Sequence, residues 1–258
     1  MRRLLIIVLS FATINLSFAQ GAGSAITSSL IDTKSILKTN LVSYALLAVN
    51  ANYEYKTGPA TSVGLLAGYK LPTTITVDAI GELDGETMTY VGEIEPKGFY
   101  ANPYFRFYTS GNAMTGFYME AFLRYYDYEY LVPYEYEKDG RTILANLDGT
   151  ANAFGGGISF GGQFSLSPRV YLDIYLGMGV GSGNIHVETN DPELDADDYQ
   201  TIKTEIEENR DEADVQIFLL GNTLDSIEAG ANDNSAWADI ENQLFPMTRG
   251  GIAIGIGF

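Results

Sequence analysis

Gly251-Ile252-Ala253-Ile254-Gly255-Ile256-Gly257-Phe258 is the stretch that decides the fold. Large apolar side chains take every second position, and glycine or alanine takes the others. Successive side chains on a strand point to opposite faces, so this run has one apolar face and one nearly empty face. A core strand of a soluble domain puts its bulk on the inner face. A membrane barrel strand puts bulk toward lipid and leaves room inside. The aromatic at Phe258 suits the second arrangement.

The same alternation recurs upstream in seven further segments: 36–46, 50–56, 61–71, 98–108, one starting at Gly116, one ending near Ser165, and 169–181. In the last of these, Val170, Leu172, Ile174, Leu176, Met178 and Val180 lie opposite Tyr171, Asp173, Tyr175, Gly177 and Gly179. Connections of alternating length separate the segments. Residues 57–60, 110–115 and 167–168 are short, whereas 72–97, 131–150 and 185–245 are long. Outer-membrane barrels keep short turns in the periplasm and long loops outside, which requires an even strand count. The expected fold is all-β: an eight-stranded antiparallel transmembrane up-and-down β-barrel. It would carry short periplasmic turns, extended outer hairpins and a partly helical acidic insertion before the last strand. A single bulged strand over 36–56 would break the even count.

This parity sorts the side chains. Leu65, Phe105, Phe107, Phe117, Leu123, Phe160, Leu172, Ile174, Leu176, Ile252, Ile254, Ile256 and Phe258 are expected to face lipid. Lys38, Glu54, Lys56, Lys70, Arg106, Glu120, Arg124, Arg169, Asp173 and Arg249 are expected to face inward. Charges inside a low-dielectric tube must pair or meet water. Seven bases against three acids suggest a salt-bridge network filling a lumen that eight strands leave narrow, with a small anion-favouring path as the alternative. Inward glycines at 155, 157, 161, 177, 179 and 181 are expected to admit Tyr and Arg partners rather than to open a pore.

The first nineteen residues run from Met1-Arg2-Arg3 through an apolar stretch to Ser17-Phe18-Ala19, the pattern of a secretory signal peptide cleaved after Ala19. Residues 20–35 then form a periplasmic lead-in, and 36–258 form the barrel, with 186–245 as its acidic outer loop. The chain holds no cysteine and a single histidine, and its formal charge of −18 becomes −20 once Arg2 and Arg3 are removed. That balance argues against nucleic acid or anionic lipid as partners held by basic surface patches. The expected partners are outer-membrane lipid and the barrel-assembly machinery, the latter through the strand ending in Phe258. The expected state is a monomer in the bacterial outer membrane, without cofactor or catalysis.

Two long connections look like hairpins that continue the strands. Asp84-Gly85 and Asp139-Gly140 each lie between β-forming runs, and Asp-Gly favours the tight type I′ turn. Tyr125, Tyr126, Tyr128, Tyr130, Tyr134 and Tyr136 line the second rise and suggest an aromatic girdle. Residues 188–241 contain 17 Asp or Glu against Lys203 and Arg210. Tyr199, Ile202 and Ile206 have helical spacing there, as do Trp237, Ile240 and Leu244. Asp197 and Asn234 or Ser235 are the expected N-caps.

Two features invite chemistry. His186 lies near Ser182 and suggests a Ser–His pair, although neither an orienting acid nor an oxyanion hole can be placed. Asp191 to Asp198 loosely resembles a calcium loop, but Ala196 and Ile202 stand where Gly and Glu are required, leaving weak divalent-cation binding.

Lys38-Thr39-Asn40-Leu41, Asn52-Tyr53-Glu54-Tyr55, Ser62-Val63-Gly64, Pro103-Tyr104-Phe105-Arg106-Phe107-Tyr108, Gly116-Phe117-Tyr118 and the final Phe258 resemble a family of small bacterial outer-membrane β-barrel proteins of unknown function. The architecture also resembles the eight-stranded membrane domain of outer-membrane protein A. The resemblance covers about residues 36–185 and 246–258. It implies a fold and no catalytic residues. The acidic insertion departs from it, and no peptidoglycan-binding domain is expected after the last strand. A structural or surface-interaction role follows. The alternatives are a secreted lipocalin-like barrel with an apolar ligand inside, and an outer-membrane lipid-modifying enzyme using Ser182 and His186.

Overall fold

The computed structural model describes residues 33–83, 86–138, 140–209 and 227–258. The expected signal peptide, most of the lead-in, Asp84-Gly85 and Asp139 lie outside them. Eight strands close into an antiparallel ring: β1 (Ser35–Asn40), β2 (Ala48–Lys56), β3 (Thr61–Lys70), β6 (Lys97–Tyr108), β7 (Gly116–Lys138), β8 (Arg141–Ser165), β9 (Val170–Thr189) and β12 (Arg249–Gly257). Between β3 and β6 lies a separate hairpin of β4 (Ile75–Leu83) and β5 (Glu86–Ile94), as the Asp-Gly signal predicts. The ring shuts where β12 meets β1, with Ile36 opposite Gly257 and Asn40 opposite Ala253. Phe258 N–H donates to the Ser35 carbonyl, and Ser35 N–H donates back to Phe258.

The alternation in sequence becomes an inversion of the usual soluble pattern. Ile256 is 61% exposed on the outer face, while Gly255 and Gly257 on either side of it are buried on the inner one. Leu65, Phe105, Phe107, Phe117, Leu123, Phe160, Ile174, Leu176, Ile252, Ile254 and Phe258 are likewise exposed, and Leu172 is half-buried. Inside, rings of tyrosine lie over glycine. A Cβ on Gly64 would stand 2.2 Å from the Tyr104 ring, and one on Gly161 2.5 Å from the Tyr118 hydroxyl. Of the six glycines expected to admit Tyr or Arg, only Gly161 does so. Gly155 faces Gly181 and Gly157 faces Gly179 across β8 and β9, where a Cβ on Gly155, Gly157 or Gly179 would strike backbone, while one on Gly177 or Gly181 would meet Ser159 or Met247 first.

The first pair of strands also departs from the sequence reading. β1 ends at Asn40, and the chain turns into the one-turn helix α1 (Leu41–Ala45) instead of continuing as strand to residue 46. The Asn40 side chain caps this helix by accepting from Val42 N–H, and Leu47 leaves it with a φ of 52°. The wall is therefore low here. On the opposite side β7 and β8 run 23 and 25 residues and stay paired from Gly116–Gln163 to Lys138–Arg141.

The acidic insertion contains a helix α2 (Ala196–Asn209) and two strands, β10 (Ile227–Ala231) and β11 (Ala236–Pro246). The helix predicted by Tyr199, Ile202 and Ile206 is α2. It packs on Ala145 and Ala236, with Tyr199 and Ile202 buried. Its cap is Asp195 rather than Asp197: the Asp195 carboxylate accepts from Asp197 and Asp198 N–H, and Asp198 accepts from Asp195 N–H. The second predicted helix, around Trp237, is strand β11 instead. It pairs with the upper half of β9 (Ala236 with Thr189, Pro246 with Val180), while β12 takes the lower half. β11 and β12 thus form one broken eighth wall, parted at buried Met247.

Candidate functional site

Every strand of the ring sends a polar side chain to one level of the interior. These are Lys38 (β1), Glu54 (β2), Ser62 (β3), Arg106 (β6), Glu120 (β7), Ser159 and Gln163 (β8), Asp173 (β9) and Arg249 (β12), all buried. Lys38 Nζ lies 2.5 Å from Glu54 Oε2, 2.6 Å from Asp173 Oδ2 and 2.8 Å from Gln163 Oε1. Arg106 joins three carboxylates: Nε donates to Glu120 at 2.8 Å, and Nη1 to Glu54 at 3.0 Å and Asp173 at 2.8 Å. Arg249 Nη1 lies 2.7 Å from the other oxygen of Glu120.

Neutral donors occupy the remaining carboxylate lone pairs. Ser62 and Tyr108 hydroxyls donate to Glu54 Oε1 at 2.5 and 2.6 Å, Tyr118 to Asp173 at 2.6 Å, and Ser159 to Glu120 at 3.1 Å. The Arg106 guanidinium also sits 3.9 Å from the Tyr118 ring centre and 4.6 Å from that of Tyr104. Buried ions are stable only when geometry is good and their other hydrogen-bonding positions are filled, and here both hold for the carboxylates. The period-two parity places Ser62, Tyr108, Tyr118, Ser159 and Gln163 inward but does not set their depth. Met114 carried no signal at all. It tucks under the barrel from the β6–β7 turn, and its carbonyl accepts from Gln163 Nε2 at 2.9 Å.

Six of the ten expected inward charges meet in this cluster, three of each sign. Lys56, Lys70, Arg124 and Arg169 do not. Arg169 is exposed in the turn before β9, and Lys56 is half-buried at the turn end of β2. Lys70 donates to the Leu71 carbonyl, and Arg124 donates to the Thr248 carbonyl at the opposite, long-loop end. The expected cationic excess is thus absent from the centre and lies toward the ends of the barrel.

Above the cluster, toward the long loops, opens a cavity of about 560 Å³ lined by Lys70, Arg124 and Arg249 together with Tyr100, Tyr128 and Tyr175. No carboxylate lines it among the described residues.

His186 and Ser182 do not pair. They share one face of β9 four residues apart, a separation of roughly 13 Å. His186 Nδ1 instead lies 2.6 Å from Asp239 Oδ1 on β11. The acids of the calcium-like run are also engaged: Asp195 and Asp198 cap α2 and hold Lys138 at the tip of β7, with Asp195 Oδ2 2.7 Å from Lys138 Nζ. The hydrogen bond from Lys138 keeps the Asp195 carboxyl below its ordinary value, and the bonds to Asp195 and Asp198 keep Lys138 above its own.

A depressed carboxylate contributes stability above its unfolded pKa, about 3.9, and loses it as pH falls through the folded value. A raised ammonium contributes fully below about 10.4 and loses it as pH rises through the folded value. The docking of α2 is therefore expected to hold through neutral pH and loosen in acid below about pH 4 and in alkali above about pH 10. Amide exchange of residues 196–209 against pH checks this. Lys138→Gln should speed exchange at pH 7, whereas equal exchange in both proteins would show that the pair does not hold the helix.

Comparison with curated proteins and with solved structures finds no match to the chain. One family does match, over residues 5–212, and is described as a protein of unknown function (DUF3575). The match spans more than half of the chain, so this eight-stranded closed barrel belongs to the DUF3575 family.

Proposed function

We propose that the protein is an integral outer-membrane β-barrel with a packed, charge-networked interior and a structural or surface-interaction role, acting without catalysis. The observation that carries this reading is the inversion of sides: a belt of exposed Leu, Ile and Phe surrounds buried Lys, Glu, Arg and Asp. Soluble monomers rarely expose an apolar surface larger than a few hundred Å². In lipid the same belt is solvated, and a closed ring leaves no strand edge unpaired. The lipocalin-like alternative needs the apolar faces inside, opposite to where they lie. A lipid-modifying enzyme built on Ser182 and His186 loses its support with their separation. The tall β7–β8 side and α2 would then stand outside the bilayer as the contact surface.

Residues 20–258, refolded with lipid vesicles, test the proposal. Insertion should protect the belt strands from protease, while α2 and the β7–β8 tip are cut. The same preparation in a planar bilayer should show no large stable conductance. A protein that remains monomeric and folded in buffer without lipid or detergent would contradict the membrane assignment. A stable wide-pore current would contradict the packed interior.

A further inference from the structure

The cavity above the charge cluster contrasts with the rest of the molecule. The chain carries a formal charge of −18, yet three cations and no described acid line this space. The six central charges balance among themselves, so Lys70 and Arg124 are surplus. Each donates to a backbone carbonyl, and neither meets a carboxylate among the described residues. Arg249 is 3% exposed, and one of its nitrogens serves Glu120. Its Nε and Nη2 hydrogen-bond to no protein atom, nor does Arg124 Nε. Buried guanidinium donors without acceptors are costly, and an anion that accepts from them removes that cost.

We infer that this cavity is an oxyanion site that takes a phosphate group. The cations come from three strands, β3, β7 and β12, and thus from different walls, an arrangement suited to a tetrahedral acceptor. Tyr100, Tyr128 and Tyr175 add hydroxyls. A space of about 560 Å³ far exceeds a bare phosphate, so it also holds part of the molecule that carries the group. One side of the cavity is the low wall formed by α1, where Leu46 and Leu47 are exposed. A phosphate can therefore come from a free solute entering along the axis, or from a lipid headgroup reaching over that wall. The lipid source rests on the membrane reading, while the site itself requires only the folded barrel.

The test uses the full mature chain folded in a non-ionic, phosphate-free detergent, with folding checked by heat-modifiable gel mobility. Inorganic phosphate is titrated by calorimetry in constant chloride. Saturable binding is expected. The double variant Lys70→Gln/Arg124→Gln lies outside the central cluster and should bind at least about tenfold more weakly. Phosphatidic acid is then added to the micelles. Displacement of phosphate assigns the lipid source, and undiminished phosphate binding assigns the solute. Non-saturable phosphate uptake by folded wild type, or unchanged affinity in the folded double variant, would overturn the site. If the double variant does not fold, the wild-type titration decides: at least tenfold preference for phosphate over chloride supports the site, and no preference overturns it. None of these outcomes depends on whether the barrel inserts into vesicles.

Discussion

Arg106→Met is expected to cost the barrel about 3–5 kcal/mol, because it leaves buried carboxylates short of a cation. Arg106 alone touches Glu54, Glu120 and Asp173, and it is fully buried. Without it, Lys38 and Arg249 must serve three acids. Glu120 keeps Arg249, and Glu54 and Asp173 must share Lys38. Urea unfolding of the refolded protein measures the loss. Combining Arg106→Met with Glu54→Gln removes one of the two charges left to share Lys38, so the double variant should be more stable than Arg106→Met alone. If Arg106→Met lost less than about 1 kcal/mol, water would have to reach the cluster, and the packed interior would be wrong.

Ile254→Arg tests the outside in the same way. Ile254 is exposed on β12 between Thr39 of β1 and Leu172 of β9. A cation facing lipid near the bilayer midplane costs about 2–4 kcal/mol in a membrane barrel, so the variant should fail to assemble in vesicles. At an exposed position of a soluble barrel, the same substitution would fall within about 0.5 kcal/mol of neutral. The size of the effect in vesicles therefore distinguishes the two environments directly.

How much of this was legible in the sequence depended on what period two reports. A strand between two different media alternates, and the Ile–Gly run of β12 does so without exception. The eight ring strands follow from that signal, and the two long hairpins from Asp-Gly between β-forming runs. Alternation gives the face of a residue and not its height along the tube. Lys56, Lys70, Arg124 and Arg169 share the parity of Lys38 and Arg106 but lie at other levels, so the inward list merged a balanced centre with cations nearer the ends.

Short-range chemistry misled at two other places. Leu41-Val42-Ser43-Tyr44-Ala45 suits a strand, yet it forms α1, with the Asn40 side chain as its cap. Trp237, Ile240 and Leu244 have helical spacing, but Trp237 and Ile240 lie on opposite faces of β11, and the register break between Ile240 and Gln243, with Asn242 at a φ of 56°, brings Leu244 to the face of Trp237. The requirement that made it a strand was tertiary. The upper half of β9 needed a partner on the side that β12 leaves bare.

The most direct test of the account is the environment of its outer face. The chain has no cysteine, so Ile174→Cys and Ile256→Cys each accept a single spin label in an otherwise unchanged background. In lipid vesicles, both labels should collide frequently with dissolved oxygen and rarely with a water-soluble nickel chelate. Frequent collision with the chelate at both positions would place that face in water and contradict the membrane-facing belt.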